Sequence, residues 1–192
     1  MILAMVLVTA YLLGSIPTSY LVVHLLTGRD IRTIGNGNPG TMNVWDNVGV
    51  WPAVAVAVGD VGKGMAAVAI AYLAGFSDRE AVLAALIAVA GHDYSIFLRF
   101  HGGNGTAAAV GALFALVPAA TLPAAVLAVA LYIATRSKRW AGAVALLLVP
   151  ALAYFIHYPD VKVVGVLLLL TVTALKIIRF EGFNPERTRP PR

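Results

Sequence analysis

The sequence predicts an all-α integral membrane protein with about seven transmembrane helices, an N-terminus outside the cell and a cytoplasmic C-terminus. Three observations support this prediction: the composition, a series of long apolar blocks, and the placement of the basic residues. Of the 192 residues, 60% are hydrophobic and only 12% are charged, which is far from the composition of a soluble globular domain. No repeat or linker divides the chain, so residues 1–192 are expected to form a single transmembrane domain.

Seven apolar blocks follow one another along the chain. They comprise residues 2–26, 50–75, 81–98, 106–117, 119–134, 140–157 and 161–178. Most of them approach the roughly 20 residues that cross the hydrocarbon core of a bilayer. The fourth and fifth blocks are short, and we expect them to be tilted, partly buried or fused. The first block lacks the basic start and the cleavage site of a signal peptide, so it is predicted to be a retained helix.

The basic residues alternate between the two sides of the predicted membrane protein. The odd-numbered connections and the C-terminal end contain eleven of the fourteen: Arg29, Arg32, Arg99, Arg136, Lys138, Arg139, Lys176, Arg179, Arg187, Arg189 and Arg192. The even-numbered connections contain only Arg79 and Lys162, each beside acidic residues, and Lys63 lies within the second block. By the positive-inside rule, the odd-numbered connections are cytoplasmic. Because this charge is spread over the ends of the blocks, no nucleic-acid partner is expected.

The first cytoplasmic connection contains the Gly- and Asn-rich stretch "GNGNPGTMN", residues 35–43. Glycine lets the main chain turn back on itself and bring N–H groups close to a ligand, and Asn tolerates unusual backbone angles. This composition indicates a binding loop. Its candidate ligand-binding residues are Gly35, Asn36, Gly37, Asn38, Gly40 and Asn43.

The second apolar block is interrupted by the polar stretch "GDVGKG", residues 59–64. Asp60 and Lys63 are three positions apart, which on a helix places them on one face and within pairing distance. One interpretation is an internal ion pair that reduces the cost of membrane insertion. The other has Lys63 directed at an anionic substrate with Asp60 orienting it, and both can hold at once.

The third connection contains a second Gly-rich segment in "GHDYSIFLRFHGGNGTA", residues 91–107. A helix is predicted to begin around Thr106, and its N-terminal N–H groups would favour an anion at the preceding turn. The candidate residues of that turn are Gly102, Gly103, Asn104 and Gly105. A single turn of this kind is more often a tight connection, but two on the same predicted face favour a shared anion site. Neither loop matches a P-loop or a dinucleotide fingerprint.

Histidine and serine supply the remaining candidates. His92 lies at the end of the third block and is either a hydrogen-bonded interface residue or a general acid/base. The other histidines, His24, His101 and His157, show no metal-ligand spacing, and the chain has no cysteine, so no metal site is expected. Ser15, in "GSIPTSY", precedes a proline that would kink the first helix, and its hydroxyl can satisfy a carbonyl that the kink frees.

Taken together, "GSIPTSY", "GNGNPGTMN", "DVGKG" and "GHDYSIFLRFHGGNGTA" resemble, in order and spacing, the PlsY family of bacterial membrane acyltransferases. The resemblance implies seven transmembrane helices in the bacterial inner (plasma) membrane, with the active site facing the cytoplasm. It implies transfer of a fatty acyl group from acyl phosphate to the 1-hydroxyl of glycerol 3-phosphate, without cofactor or metal. The implied catalytic residues are His92, Lys63 and Asp60, and Ser15 joins both Gly-rich loops in binding substrate.

The chain departs from the family pattern mainly at cations. The family's first loop typically reads G-S-G-N-x-G-A-T-N-V-x-R, and this chain has Asn36, Met42 and Asp46 in place of its serine, threonine and arginine. Its later loop reads G-G-K-G, and here the lysine is Asn104. Phe180 stands where a histidine is usual, with Asn184 only approximately matching the asparagine that follows it.

These departures leave three hypotheses open. The first is a working acyltransferase in which Arg32, Arg99 or His101, which lie in the same loops, compensate for the missing cations. The second is a weakened or inactive paralogue that binds acyl phosphate, a lipid or a partner protein. The third is a small transporter, which would place polar residues near the middle of the membrane.

Overall fold

The computed structural model describes residues 1–182, with side chains described for all of these except 138, 139 and 180–182. Within this range the chain forms helices joined by turns, and no strand is present. The α-helices are α1 (Ile2–Ser15), α2 (Thr18–Thr27), α3 (Thr41–Asn47), α4 (Val50–Leu73), α5 (Asp78–Asp93), α6 (Thr106–Leu116), α7 (Pro118–Thr135), α8 (Lys138–Phe155) and α9 (Asp160–Gly182). The predicted all-α fold is confirmed.

Each predicted apolar block coincides with helical structure. Five helical segments are long and apolar enough to cross a membrane: Ile2–Thr27, Val50–Leu73, Asp78–Leu98, Pro118–Thr135 and Asp160–Arg179. The fourth block is the short, largely buried helix α6, as expected, whereas the fifth forms the 18-residue helix α7. The total of seven crossings and the sidedness of the termini stay predictions.

The first apolar segment is broken at Ile16 and Pro17, as the proline predicts. The carbonyl groups that the break frees are bound by side chains of other elements, because Lys63 Nζ donates to Ile16 O at 3.0 Å and Ser95 Oγ donates to Ser15 O at 2.5 Å. The Ser15 hydroxyl is buried and has no hydrogen-bond partner within the described structure. The expectation that this hydroxyl satisfies a freed carbonyl is therefore wrong, and long-range donors do so instead.

Glycines let two pairs of helices pack with their backbones in contact. A Cβ atom on Gly14 or Gly91 would overlap a carbonyl oxygen across the α1–α5 interface, and one on Gly64 or Gly111 would overlap a carbonyl oxygen across the α4–α6 interface. Small residues at helix crossings are the usual means of close packing in membrane proteins. These contacts bring the C-terminal end of α5 against the kink of α1 and the polar turn of α4.

A separate apolar cluster supports the first Gly-rich loop. Ile31, Ile34 and Val44 from the loop and α3 pack with Val23 of α2 and Val56 of α4, all of them buried. The loop is thus attached to the helices on both sides, which fixes its position over the ends of α1 and α5.

Candidate active site

A narrow pocket lies where α1, α4 and α5 meet the two Gly-rich loops. The kinked segment, the polar turn of α4 and the C-terminal end of α5 contribute most of its walls, and each loop adds a few atoms. The lining residues are Ser15, Ile16, Pro17, Thr18, Ser19, Pro39, Asp60, Lys63, His92, Ser95, Leu98, Gly102 and Gly103. Residues from four separate sequence motifs therefore share one pocket.

Asp60, Lys63 and His92 form a buried polar cluster in this pocket. Lys63 Nζ lies 2.9 Å from Asp60 Oδ1 and also donates to Ile16 O. His92 Nδ1 lies 3.7 Å from the same Asp60 oxygen, which is too long for a hydrogen bond, and no partner is present for it in the described structure. Lys63 therefore pairs with Asp60 and also faces the pocket, so both interpretations of this stretch hold. Nδ1 of His92 has no hydrogen-bond partner among the described residues.

In the first Gly-rich loop, polar groups bond mainly to one another. The buried Asn43 side chain donates from Nδ2 to Ile34 O at 2.9 Å and to Asn38 O at 3.0 Å, and it accepts from the Asn36 N–H at 3.3 Å. Three backbone N–H groups are also bonded locally: those of Gly37 and Gly40 donate to backbone oxygens, and that of Asn38 donates to the Asn36 side chain. Of this stretch, only Pro39 lines the pocket. The six residues predicted to bind ligand shape the loop and do not line the pocket: Gly35, Asn36, Gly37, Asn38, Gly40 and Asn43.

In the second Gly-rich loop, glycine is required by close contact. The N–H of Gly102 donates to Asp93 O at 3.2 Å and that of Gly103 donates to His92 O at 3.1 Å. A Cβ on Gly103 would overlap His92 Nε2 and lie 3.0 Å from Pro39 O. These two amides are therefore used to hold the loop against α5, which differs from the expectation that they are free for an anion.

Asp93, which was not predicted to be a site residue, lies at the end of α5 against the turn that precedes α6. Gly105 has a left-handed φ of +70°, and a Cβ on it would lie 2.6 Å from the buried carboxylate oxygen Asp93 Oδ1. Lys176 of α9 donates to Asp93 O at 3.1 Å and lies over the Tyr94 ring, 4.0 Å from its centroid. The only sequence signal for this cluster was an acidic residue beside His92 at the end of an apolar block.

The departures from the family pattern lie outside the pocket or at its edge. Asp46 is exposed on α3, and Asn104, between the two pocket glycines and α6, is partly buried. The side chain of Phe180 and the whole of Asn184 lie outside the described residues. Ser95, Leu98 and the kink residues 16–19 line the pocket but were not predicted to do so. They lie within the quoted motifs, but no local pattern shows which motif residues face the pocket.

A second cavity, of about 430 Å³, adjoins the pocket and is largely apolar. It shares Ile16, Pro17 and Leu98 with the pocket, and its other lining residues are Tyr20, Leu21, Arg32 and Phe97. Arg32 Nη2 lies 2.6 Å from Asp30 Oδ2. The hydrogen bonds from this guanidinium lower the pKa of the Asp30 carboxyl.

Comparisons with known proteins agree on one family. The family model described as glycerol-3-phosphate acyltransferase matches residues 4–184. Glycerol-3-phosphate acyltransferase 1 of Dehalococcoides mccartyi is 38% identical, with 97% of this chain and 91% of that relative covered. Glycerol-3-phosphate acyltransferase 2 of the same organism is 46% identical over 58% of this chain, and that match spans only about half, 53%, of the relative.

The fold is also similar to a solved structure. The crystal structure of PlsY, an integral membrane glycerol 3-phosphate acyltransferase, in its glycerol 3-phosphate form superposes with a TM-score of 0.86 at 26% identity. The superposition covers 100% of this chain and 96% of that one.

Proposed function

The chain belongs to the PlsY family of membrane glycerol-3-phosphate acyltransferases, and on this basis we propose that it transfers a fatty acyl group from acyl phosphate to the 1-hydroxyl of glycerol 3-phosphate. The products are lysophosphatidic acid and inorganic phosphate. The observation that carries the proposal is the convergence of Lys63, Asp60 and His92 with both Gly-rich loops in one pocket. The proposed location is the bacterial inner membrane, with the pocket facing the cytoplasm.

In the proposed reaction, the 1-hydroxyl oxygen attacks the carbonyl carbon of acyl phosphate and the bond from that carbon to the phosphate oxygen breaks. His92 accepts the hydroxyl proton through its free ring nitrogen and passes it to the departing phosphate. The Lys63 ammonium, held by Asp60 and Ile16 O, stabilises the negative charge that develops on the reacting groups. Acyl phosphate is already an activated acyl donor, so positioning and charge stabilisation can supply much of the catalysis.

The larger cavity suits the donor of such a reaction, and the polar groups of the narrow pocket lie beside it. Glycerol 3-phosphate is small and polar, whereas the donor combines a phosphate with a long hydrocarbon chain. The larger cavity is lined by Tyr20, Leu21 and Phe97 beside shared residues of the pocket, and its apolar walls would accept the chain. The carbonyl carbon would then lie at the junction, within reach of His92.

The test is a direct assay with palmitoyl phosphate and glycerol 3-phosphate, following lysophosphatidic acid. We expect product from the wild-type protein and a loss of about 100-fold or more in kcat for His92→Ala, because general base catalysis is removed. His24→Ala is the matched control, since His24 is exposed on α2, and it should retain full turnover. Equal rates for both variants would exclude His92 as the base.

A second arm addresses the missing cations. If the wild type forms no product, the double variant Asp46→Arg with Asn104→Lys restores the charges that the family has at these positions. Recovered turnover would identify an inactive paralogue with an intact scaffold. No turnover in the double variant would contradict the acyltransferase proposal.

A further inference from the structure

The pocket has little positive charge for the chemistry proposed above. Among the described lining residues, the one lysine or arginine is Lys63, and its charge is balanced by Asp60 at 2.9 Å. The reaction brings two phosphate groups to this place. Because like charges repel strongly in a partly buried site, a further cationic group with unused N–H donors is needed close to the pocket.

Three basic residues of the cytoplasmic loops are near enough in sequence to supply it. His101 and Arg99 are exposed, and His101 Nδ1 lies 2.7 Å from Arg99 O, so they form their own surface turn. Arg32 instead lines the second cavity beside Ile16, Pro17 and Leu98, the residues through which that cavity joins the pocket. Its position is therefore the one that faces bound substrate.

The Arg32 guanidinium is held in a fixed orientation. Its Nε donates to Asp30 Oδ2 at 3.0 Å, its Nη2 donates to the same oxygen, and its Nη1 donates to Leu98 O at 3.2 Å. A guanidinium has five N–H donors, so these bonds leave one hydrogen on each terminal nitrogen. Two donors in this arrangement match the spacing of two oxygens of a phosphate.

Resting on the proposed function, we propose that Arg32 is a phosphate-binding residue of this enzyme and takes over the role of the cations that the family has at the positions of Asp46 and Asn104. It binds the phosphate group of the donor or of the acceptor through its two remaining N–H donors. Asp30 and Leu98 O act as the groups that position it.

The variants Arg32→Gln, Asp30→Asn and Arg29→Gln separate this role from a structural one. Asn at position 30 keeps an oxygen that can accept from the backbone N–H of Arg32, 2.9 Å away, but it removes the carboxylate charge that holds the guanidinium in position. Arg29→Gln removes an exposed positive charge from the same segment and is the matched control. The measurement is KM and kcat, with glycerol 3-phosphate and palmitoyl phosphate varied in turn.

We expect Arg32→Gln to raise KM for one substrate by about 10- to 100-fold, the range for a lost hydrogen bond to a charged group, with kcat nearly unchanged. The substrate affected identifies which phosphate Arg32 binds. Asp30→Asn weakens the contact that orients the guanidinium, so it should raise the same KM by a smaller factor, whereas Arg29→Gln should change neither KM. If Arg32→Gln and Asp30→Asn instead lower kcat and thermal stability together, without a selective rise in KM, Arg32 is structural and the inference is overturned.

A binding measurement keeps this inference separate from the proposed function. Glycerol 3-phosphate and inorganic phosphate are tested for protection of the purified protein against thermal unfolding. If the wild type makes no product but is protected, and Arg32→Gln alone loses the protection, the phosphate site stands while the turnover proposal fails. If the wild type is neither active nor protected, both are excluded.

Discussion

Asn43 illustrates, at the scale of one residue, how a polar side chain can serve a site without facing it. Its amide bonds four backbone groups in and just before the first Gly-rich loop, and the side chain of Asn47 donates to its oxygen at 3.0 Å. Gly35 packs against this amide so closely that a Cβ there would overlap Asn43 Oδ1. A Gly- and Asn-rich composition can therefore indicate a self-bonded loop as well as an anion cradle.

Gly103 gives the sharpest prediction at this scale. Gly103→Ala places a methyl group against the His92 ring and Pro39 O, so we expect the imidazole to move and kcat to fall by about 100-fold, the cost of a misplacement of roughly 1 Å. Gly142→Ala is the control, because a Cβ there meets nothing within 4 Å. Full activity in Gly103→Ala would show that the position of the His92 ring does not limit the reaction.

At the scale of elements, the site depends on helices that approach backbone to backbone. The α1–α5 contact sets the distance between the kink and His92, and the α4–α6 contact fixes the helix that carries Asp60 and Lys63. The buried faces of these helices are rich in alanine and valine, which have short side chains. Close packing of small residues replaces the hydrophobic driving force that a bilayer does not supply.

Gly64 tests this arrangement against a neighbour in the same helix. Gly64→Ala would force apart α4 and α6 at Ala108 O, and we expect a destabilisation of about 1–3 kcal/mol, the usual cost of overpacking a core. Gly62→Ala, two positions away with nothing within 4 Å of its Cβ, should be neutral or slightly stabilising. Thermal unfolding in detergent measures both, and equal melting temperatures would contradict backbone contact between the two helices.

At the scale of the whole molecule, the polar pocket lies at one end of the helices, beside the odd-numbered connections. A second polar cluster lies near the even-numbered connections. Lys162 pairs with Asp78 at 3.1 Å, and the Tyr72 hydroxyl donates to the same carboxylate at 2.8 Å. These residues belong to the even-numbered connections, which the charge pattern assigns to the outside. The predicted topology thus places the pocket and the proposed reaction on the cytoplasmic side.

The absence of cysteine from the chain makes this topology directly testable. Arg29→Cys and Arg79→Cys each replace one exposed arginine, so they change the charge equally. In intact cells, a membrane-impermeant maleimide should label Arg79→Cys, whereas Arg29→Cys should require permeabilised cells. The reverse pattern would place the pocket outside and contradict a reaction that uses cytoplasmic substrates.

The sequence by itself determined that this is a helical membrane protein, where its apolar segments lie, and which motifs mark its family. These properties follow from local composition, because the cost of placing each polar residue in lipid is set residue by residue. Tertiary structure decided which residues line the pocket, how the amides of the Gly-rich loops are used, and which cation lies beside the site. These features depend on contacts between residues far apart in the sequence: Arg32 and Leu98 are 66 positions apart, and Ser15 and Ser95 are 80 positions apart. No local pattern encodes a partner at that distance.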